Sequence, residues 1–243
     1  MVFGRNPVLE MMRGSAAAIQ KLYVAEGAQG VEPILAEART LGVGIETVVR
    51  QVLDGLARGG HHQGVAIQTK PLAHVAVEDI VASAPALVVM LDGIQDPQNL
   101  GAIIRAAEVL GAGGVVLPKD RSAGVTAAAI RASSGAAIHL PIAQVVNLVR
   151  ALEDLKTAGY WSVGLDARGT SRFRDLPRIE RAVLVVGGEG RGIRPLVGRA
   201  CDFTVAIPVR GRVAALNAAT AAAIALYEMG ARVLPDPSGG AIR

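Results

Sequence analysis

Apolar residues change their spacing along this chain, and the changes predict its elements. Within residues 1–68 the pair Asn6-Pro7 reads as an N-cap followed by proline at the first helical position, opening a helix through about Met12. A strand is predicted near 19–24, a helix at 31–41 ended by Gly42, a strand near 43–47, a short helix near 49–57 and a strand at 64–68. Residues 69–85 show neither a strong period nor a long apolar run and read as a connector. From residue 86 strands at 87–92, 114–117, 137–140, 160–165, 182–187 and 204–208 alternate with helices at 99–110, 123–133, 145–158 and 216–231. Short apolar strands bounded by helices predict an α/β fold with a mostly parallel sheet covered on both faces. The last helix is apolar on nearly every side over 218–227, which predicts that it is covered all round.

Composition narrows the class. A chain of 243 residues suits one large or two modest domains, each with a proper core. A hydrophobic share of 51% with 19% charged residues excludes a disordered chain. The first residues, MVFGRNPVLEMMRG, meet charge and proline at once, unlike a secretory signal. The longest stretch without formal charge, 132–149, holds Ser133, Ser134, Gly135, His139, Pro141, Gln144 and Asn147, too polar for a membrane helix of ~20 residues. The single Cys201 forms no internal disulfide, which fits a reducing compartment. The expectation is a soluble, cytoplasmic protein with no membrane partner.

The net charge of +4 is modest, but of 25 basic residues only four are lysines. Between 168 and 212, ten arginines stand against the acids Asp175, Glu180, Glu189 and Asp202. The planar guanidinium fork matches phosphate geometry, so this excess points to nucleic acid. A GC-rich genome that prefers arginine to lysine is the other origin such an excess has.

The glycine-rich segment GGEGRG (187–192) follows an apolar strand, where α/β proteins build ligand sites. It is not a dinucleotide fingerprint, because Ile193 stands where G-x-G-x-x-G requires its last glycine. It lacks the G-K-[ST] of a phosphate-binding P-loop as well, so NAD and ATP are both disfavoured. Glycines here imply close backbone approach to a ligand or another segment, or simply a tight turn. The pair His61-His62 has no cysteine nearby and the chain holds four histidines in all, so no metal is expected.

Three blocks in order carry a resemblance. Asn99 and Arg105 in NLGAIIRAA follow a strand; Gly187, Glu189, Gly190 and Gly192 follow another; Ile207, Pro208 and Gly211 precede Leu216-Asn217 at the start of a helix. This resembles the signature of the SpoU/TrmH family of RNA 2'-O-methyltransferases, in the SPOUT superfamily, and is most like its large-subunit rRNA guanosine group. VTAAAIRASSGAAIHLPI (125–142) resembles the intervening helix and strand. VFGRNPVLEMMRG and HHQGVAI (61–67) resemble the opening and closing of the family's N-terminal substrate-binding domain.

The resemblance implies an RNA-binding domain at 1–68 that folds like certain ribosomal proteins, a linker at 69–85, a SPOUT domain at 86–235 and a flexible tail at 236–243. It implies a deep trefoil knot, an exception to the rule against threading. It implies homodimers and S-adenosyl-L-methionine held near Gly187, Gly190, Ile207, Pro208, Gly211 and Leu216. Arg105, Glu189, Asn217 and Asn99 are the catalytic residues it implies. An arginine with a pKa above ~12 is a poor general base, so Arg105 is read as stabilising the alkoxide of the attacking ribose. Its ordinary reading is a surface salt bridge, and that of Asn99 a helix cap. Glu189 either fixes Arg105 or receives the ligand's amine. One position departs from the family: its usual serine before Leu-Asn is Ala215 here. The expected function is 2'-O-methylation of a ribosomal RNA guanosine. Alternatives are a tRNA or antibiotic-resistance-type rRNA methyltransferase, or an RNA-binding assembly factor with weak catalysis.

Overall fold

The computed structural model describes residues 1–212 and 215–233, so the expected tail at 236–243 lies outside it. The first part runs β1 (Val2–Phe3), α1 (Arg5–Gly14), β2 (Ile19–Ala25), α2 (Glu32–Thr40), β3 (Ile45–Val48), α3 (Arg50–Ala57) and β4 (Val65–Thr69). Its strands form one sheet in the order β1-β4-β2-β3, with β2 parallel to β3 and antiparallel to β4. Asn6 does not cap α1. The helix begins one residue earlier, Gly4 at φ 95° is the residue before it, and Val8 N–H donates to the Gly4 carbonyl.

The connector is not featureless. It carries α4 (Val77–Ala82), whose Val77 and Ile80 are buried, and Val75 bridges to Ala143. Six residues with two buried positions are too short to show a period in sequence.

The second part runs β5 (Leu87–Asp92), α5 (Pro97–Val109), β6 (Val115–Pro118), α6 (Ala127–Ala132), β7 (Ile142–Val145) and α7 (Leu148–Thr157). It continues through β8 (Trp161–Leu165), β9 (Ala182–Gly187), α8 (Pro195–Ala200), β10 (Phe203–Val205) and α9 (Ala218–Val233). All pairings are parallel, in the order β10-β8-β9-β5-β6-β7. Every residue of β5 and β6 is buried, as a parallel sheet covered on both faces requires. From β5 the chain winds outward through β6 to β7, then crosses to the other half. The order therefore reverses between β5 and β9, and in open α/β sheets ligands bind beyond the carboxyl ends of strands at such a point.

Several expectations change: the strand expected at 204–208 is β10 at Phe203–Val205, and the helix expected at 123–133 is α6 at Ala127–Ala132. The segment 137–140 is not a strand: a 3-10 turn occupies Ala136–Ile138, and the strand begins after Pro141, whose ring bars a donated ladder bond. Helix α7 starts at Leu148 because Asn147 caps it, accepting from Arg150 N–H at 3.1 Å. Helix α9 is not covered all round, since Ile224 and Tyr227 are 38% and 67% exposed. With Thr220 they form one open stripe.

The two parts meet through side chains of α1, α6 and the turn at 136–138. Glu10 faces His139 at 2.7 Å, and the Arg131 guanidinium lies 3.9 Å from the Phe3 ring centroid. Cys201 is half-buried against the core, and burial pushes its thiol up to about 12, so it stays a thiol at neutral pH.

Helix α5 packs on α6 through Gly101, where an added Cβ would lie 2.4 Å from Ala132 Cβ and 2.6 Å from the Ala129 carbonyl oxygen. Alanine improves helix propensity by about 1 kcal/mol, but overpacking against backbone costs about 1–3 kcal/mol. Gly101→Ala is therefore expected to lower the urea midpoint of unfolding. A raised midpoint would show that the two helices separate freely.

Candidate functional site

The site grows from the ends of the two central strands. Strand β5 ends in Asp92, which is buried, and a buried carboxylate demands partners. Its Oδ2 accepts from Arg194 N–H at 2.7 Å, its Oδ1 from Arg194 Nε at 2.5 Å, and its carbonyl from Gly188 N–H at 2.9 Å. These bonds fold the loop after β9 back onto β5. The contact is so close that a Cβ on Gly188 would sit 2.1 Å from the Gly93 carbonyl oxygen, and one on Gly187 2.1 Å from the Gly192 carbonyl carbon. Glycine at 187 is thus required by the return of its own loop at 192–193, and glycine at 188 by packing on the end of β5.

That fold presents Glu189 to α5. Asn99 Nδ2 donates to Glu189 Oε1 at 2.6 Å, and Gln95 N–H donates to Oε2 at 3.4 Å. Asn217 Nδ2 donates to Asn99 Oδ1 at 3.0 Å. Asn217 Oδ1 then accepts from Ala219 N–H at 2.8 Å and Thr220 N–H at 3.3 Å, capping α9. A carboxylate at one end and backbone donors at the other leave one consistent orientation for both amides. Three loops, after β5, β9 and β10, are tied by this chain of bonds. The cap of α5 is Asp96, whose side chain accepts from Gln98 N–H at 2.9 Å, so Asn99 stands free of the cap role.

Beside the chain lies a cavity of about 240 Å³, lined among others by Gly187, Glu189, Gly190, Ile207 and Leu216. Ala215 lines it as well. Pro208 and Gly211 are not among its lining residues. Asp166, just beyond β8, lines the cavity and was missed in sequence; an acidic residue directly after an apolar strand was the available signal. Hydrogen bonds from the Arg168 guanidinium hold the Asp166 carboxyl below its ordinary range. It therefore stays an acceptor at neutral pH.

Arg105 is not joined to this group. It is exposed on α5, and its Nη1 donates to Ser134 Oγ at 3.0 Å. The expectation that Glu189 fixes Arg105 is corrected: within one chain the partner of Glu189 is Asn99. His62 is a structural residue. Its Nδ1 accepts from Gly64 N–H at 3.0 Å and its Nε2 faces Asp54 Oδ1 at 3.0 Å.

Comparison with known proteins bears on this geometry. The profile of the SpoU rRNA methylase family matches residues 86–227, and that for RNA 2'-O ribose methyltransferase substrate binding matches 1–75. An uncharacterised tRNA/rRNA methyltransferase of Mycobacterium ulcerans is 43% identical over 235 residues, 94% of this chain and 76% of its own. One from Mycolicibacterium vanbaalenii is 44% identical over 237 residues, 94% of this chain and 75% of its own. Among solved structures, the SpoU methyltransferase AviRb of Streptomyces viridochromogenes, in complex with AdoMet, superposes with a TM-score of 0.81 at 25% identity, covering 95% of this chain and 88% of that one. An AdoMet-bound rRNA methyltransferase of Sinorhizobium meliloti gives a TM-score of 0.79 at 26% identity, covering 96% and 87%.

The bond chain makes a pH-dependent prediction. Asn99→Asp sets a second carboxylate against Glu189, and two like charges raise each other's folded-state pKa. A raised pKa means stability present at low pH and lost as pH rises through it. The variant is expected to be less stable than wild type by ~1 kcal/mol at pH 8, with the gap narrowing towards pH 5. Thermal melts at both values decide; an equal gap at each would show that the two side chains do not face one another.

Proposed function

From the premise that the chain belongs to the SpoU rRNA methylase family, we propose that it methylates a ribose 2'-hydroxyl in structured RNA with S-adenosylmethionine as donor. The observation that carries this reading is the Glu189–Asn99–Asn217 bond chain beside an apolar cavity at the carboxyl ends of β8 and β9. When bound, S-adenosylmethionine supplies a methyl group on a positively charged sulfonium. The residues present suit it: Ile207 and Leu216 offer apolar surface for an adenine, and Asp166 offers acceptors for ribose hydroxyls. Gly187 and Gly190 bring backbone to the same cavity; Pro208 and Gly211 lie in the segment between its lining residues Ile207 and Leu216.

Transfer to a ribose oxygen requires that the oxygen lose its proton while charge develops on it. Glu189, oriented by Asn99, is the carboxylate of the site that faces α5, and Asn217 holds the other end of the bond chain. Arg105 stabilises the developing alkoxide by charge and hydrogen bonding. It shares the exposed face of α5 with Ala102 and Val109, and α9, which packs on α5, leaves Ile224 and Tyr227 open. These uncovered apolar positions support a homodimer with the site near the interface. A second copy would also account for the separation of Arg105 from Glu189 within one chain.

Membership of the SpoU rRNA methylase family supports a knotted crossing of the SPOUT type, and the 1–75 match supports an RNA-binding role for the first part. We read the substrate as a guanosine of large-subunit ribosomal RNA, because a separate substrate-binding part suits a large, structured RNA. The relatives' tRNA/rRNA description keeps a tRNA target as the second reading.

Incubation with labelled S-adenosylmethionine and unmodified 23S rRNA or tRNA, followed by mapping of the label, tests the function. Label on a ribose of the ribosomal RNA is expected; RNA binding without label would assign an assembly role. Arg105→Ala is expected to bind cofactor normally in calorimetry and to lower methyl transfer by ~100-fold. Near-normal turnover would reduce Arg105 to a surface residue.

Ala215 leaves the cavity without the hydroxyl expected there. A net hydrogen bond that strengthens in the transition state contributes ~1 kcal/mol. Ala215→Ser is therefore expected to raise turnover by roughly threefold to tenfold with cofactor affinity unchanged. A fall in activity would mean that the alanine is an adaptation of this site.

A further inference from the structure

A second cleft of about 300 Å³ adjoins the cavity described above and shares with it Gly188, Glu189 and Gly192. Its wall carries three guanidinium groups, on Arg121, Arg191 and Arg194. Arg194 is committed to the buried Asp92. Arg121 and Arg191 are exposed, and among the described residues neither pairs with a carboxylate. Of the two acids that line the cleft, Asp92 holds Arg194 and Glu189 is engaged by Asn99 and by the Gln95 backbone. Two arginines without an acidic partner therefore flank the group that the chemistry uses.

The placement of Arg121 is imposed by the fold. Its backbone has φ 58°, in the left-handed region that side chains other than glycine rarely adopt. The conformation is held by the following residues: Ser122 Oγ donates to the Ile94 carbonyl at 3.1 Å, and Ala123 N–H donates to the same oxygen at 2.7 Å. Those bonds fasten the 121–123 loop to the 93–94 loop, on which Gly188 packs. An uncommon backbone geometry, fixed from outside and carrying a solvent-facing arginine, is the kind of cost that function explains better than stability.

We infer that this cleft is a subsite for an RNA phosphate flanking the nucleotide to be methylated, with Arg121 and Arg191 as positioning residues. The inference rests on the RNA methyltransferase reading above and adds a recognition site on the catalytic part. A guanidinium fork holds a phosphate through two parallel N–H donors, which fixes orientation as well as position. A backbone held beside Glu189 would bring a ribose to the rim of the cavity without any base being read. Selectivity for a folded RNA then combines this anchor with contacts made by residues 1–75.

The test uses the full chain, labelled fragments of unmodified 23S rRNA transcript, and S-adenosylmethionine. Arg121→Gly removes the charge while giving the backbone a residue that adopts positive φ readily. This variant is expected to melt at or above the wild-type temperature yet bind the RNA about tenfold more weakly. Its plot of log affinity against log salt is expected to be shallower by ~0.7, one phosphate contact on a single strand. Arg191→Ala is expected to act in the same direction, and the double variant to lose more. Arg121→Lys keeps the charge and is expected to keep the wild-type salt slope. Calorimetric affinity for S-adenosylmethionine should be unchanged throughout. The inference fails if the double variant binds RNA with wild-type affinity and slope while the wild type methylates it. It fails too if cofactor affinity falls and RNA affinity does not, since the arginines would then hold the carboxylate of the cofactor. A wild type that neither binds nor methylates any RNA would remove the broader reading along with this one.

Discussion

The buried carboxylate of Asp92 is the constraint around which the site is arranged. It closes the central strand β5, and its two side-chain oxygens and its carbonyl receive N–H groups from Arg194 and Gly188. Burying that charge without partners would be prohibitive, so the loop after β9 must return to the end of β5. Once it returns, Gly187 and Gly188 lie against other backbone and only glycine fits. Glu189 is then carried to the face where α5 and α9 begin. The apolar cavity, the bond chain and the arginine-lined cleft all border this one loop.

The bond chain from Glu189 to the first turn of α9 joins parts of the sequence more than a hundred residues apart: Asn99 and Asn217 are separated by 118 positions. Each amide in it both donates and accepts, so loss of one member leaves two others unsatisfied. Such a network stabilises less than an apolar core of equal size, but it specifies geometry. It also explains why no fixed cation is needed beside Glu189 in the single chain: an amide, a neutral donor, holds the carboxylate and leaves Arg105 available elsewhere.

The two sheets divide the labour of a protein acting on a large polymer. The parallel sheet supplies strand ends and loops for a small ligand, while the first part matches a substrate-binding family and meets the second through Glu10–His139 and Arg131 on Phe3. Exposed arginine on the catalytic part adds electrostatic attraction for a polyanion that no uniform net charge of +4 would provide.

Much was legible in the sequence because the signals are local. Strand 87–92 was read to the residue, since a run of six apolar or small side chains ending at Asp92-Gly93 leaves no alternative register. The helices at 32–40 and 50–57 lie within a residue or two of expectation, and the motif blocks contain Asn99, Glu189 and Asn217, which the fold joins by hydrogen bonds. What the sequence missed was decided at long range. The strand expected at 137–140 moved beyond Pro141, because its ladder is built with β6 and not by local propensity. Asn6 looked like a cap, but the sheet's β1 sets where α1 starts. Whether Glu189 meets Arg105 or Asn99 depends on how two loops cross. Asp166, Arg121 and Arg191 look like surface charges until the sheet brings the ends of β8, β6 and β9 to one edge. Local pattern determines which residues can form a strand, a helix or a tight glycine turn. Which of those turns share a cavity is a matter of strand order, and strand order is a property of the packed whole.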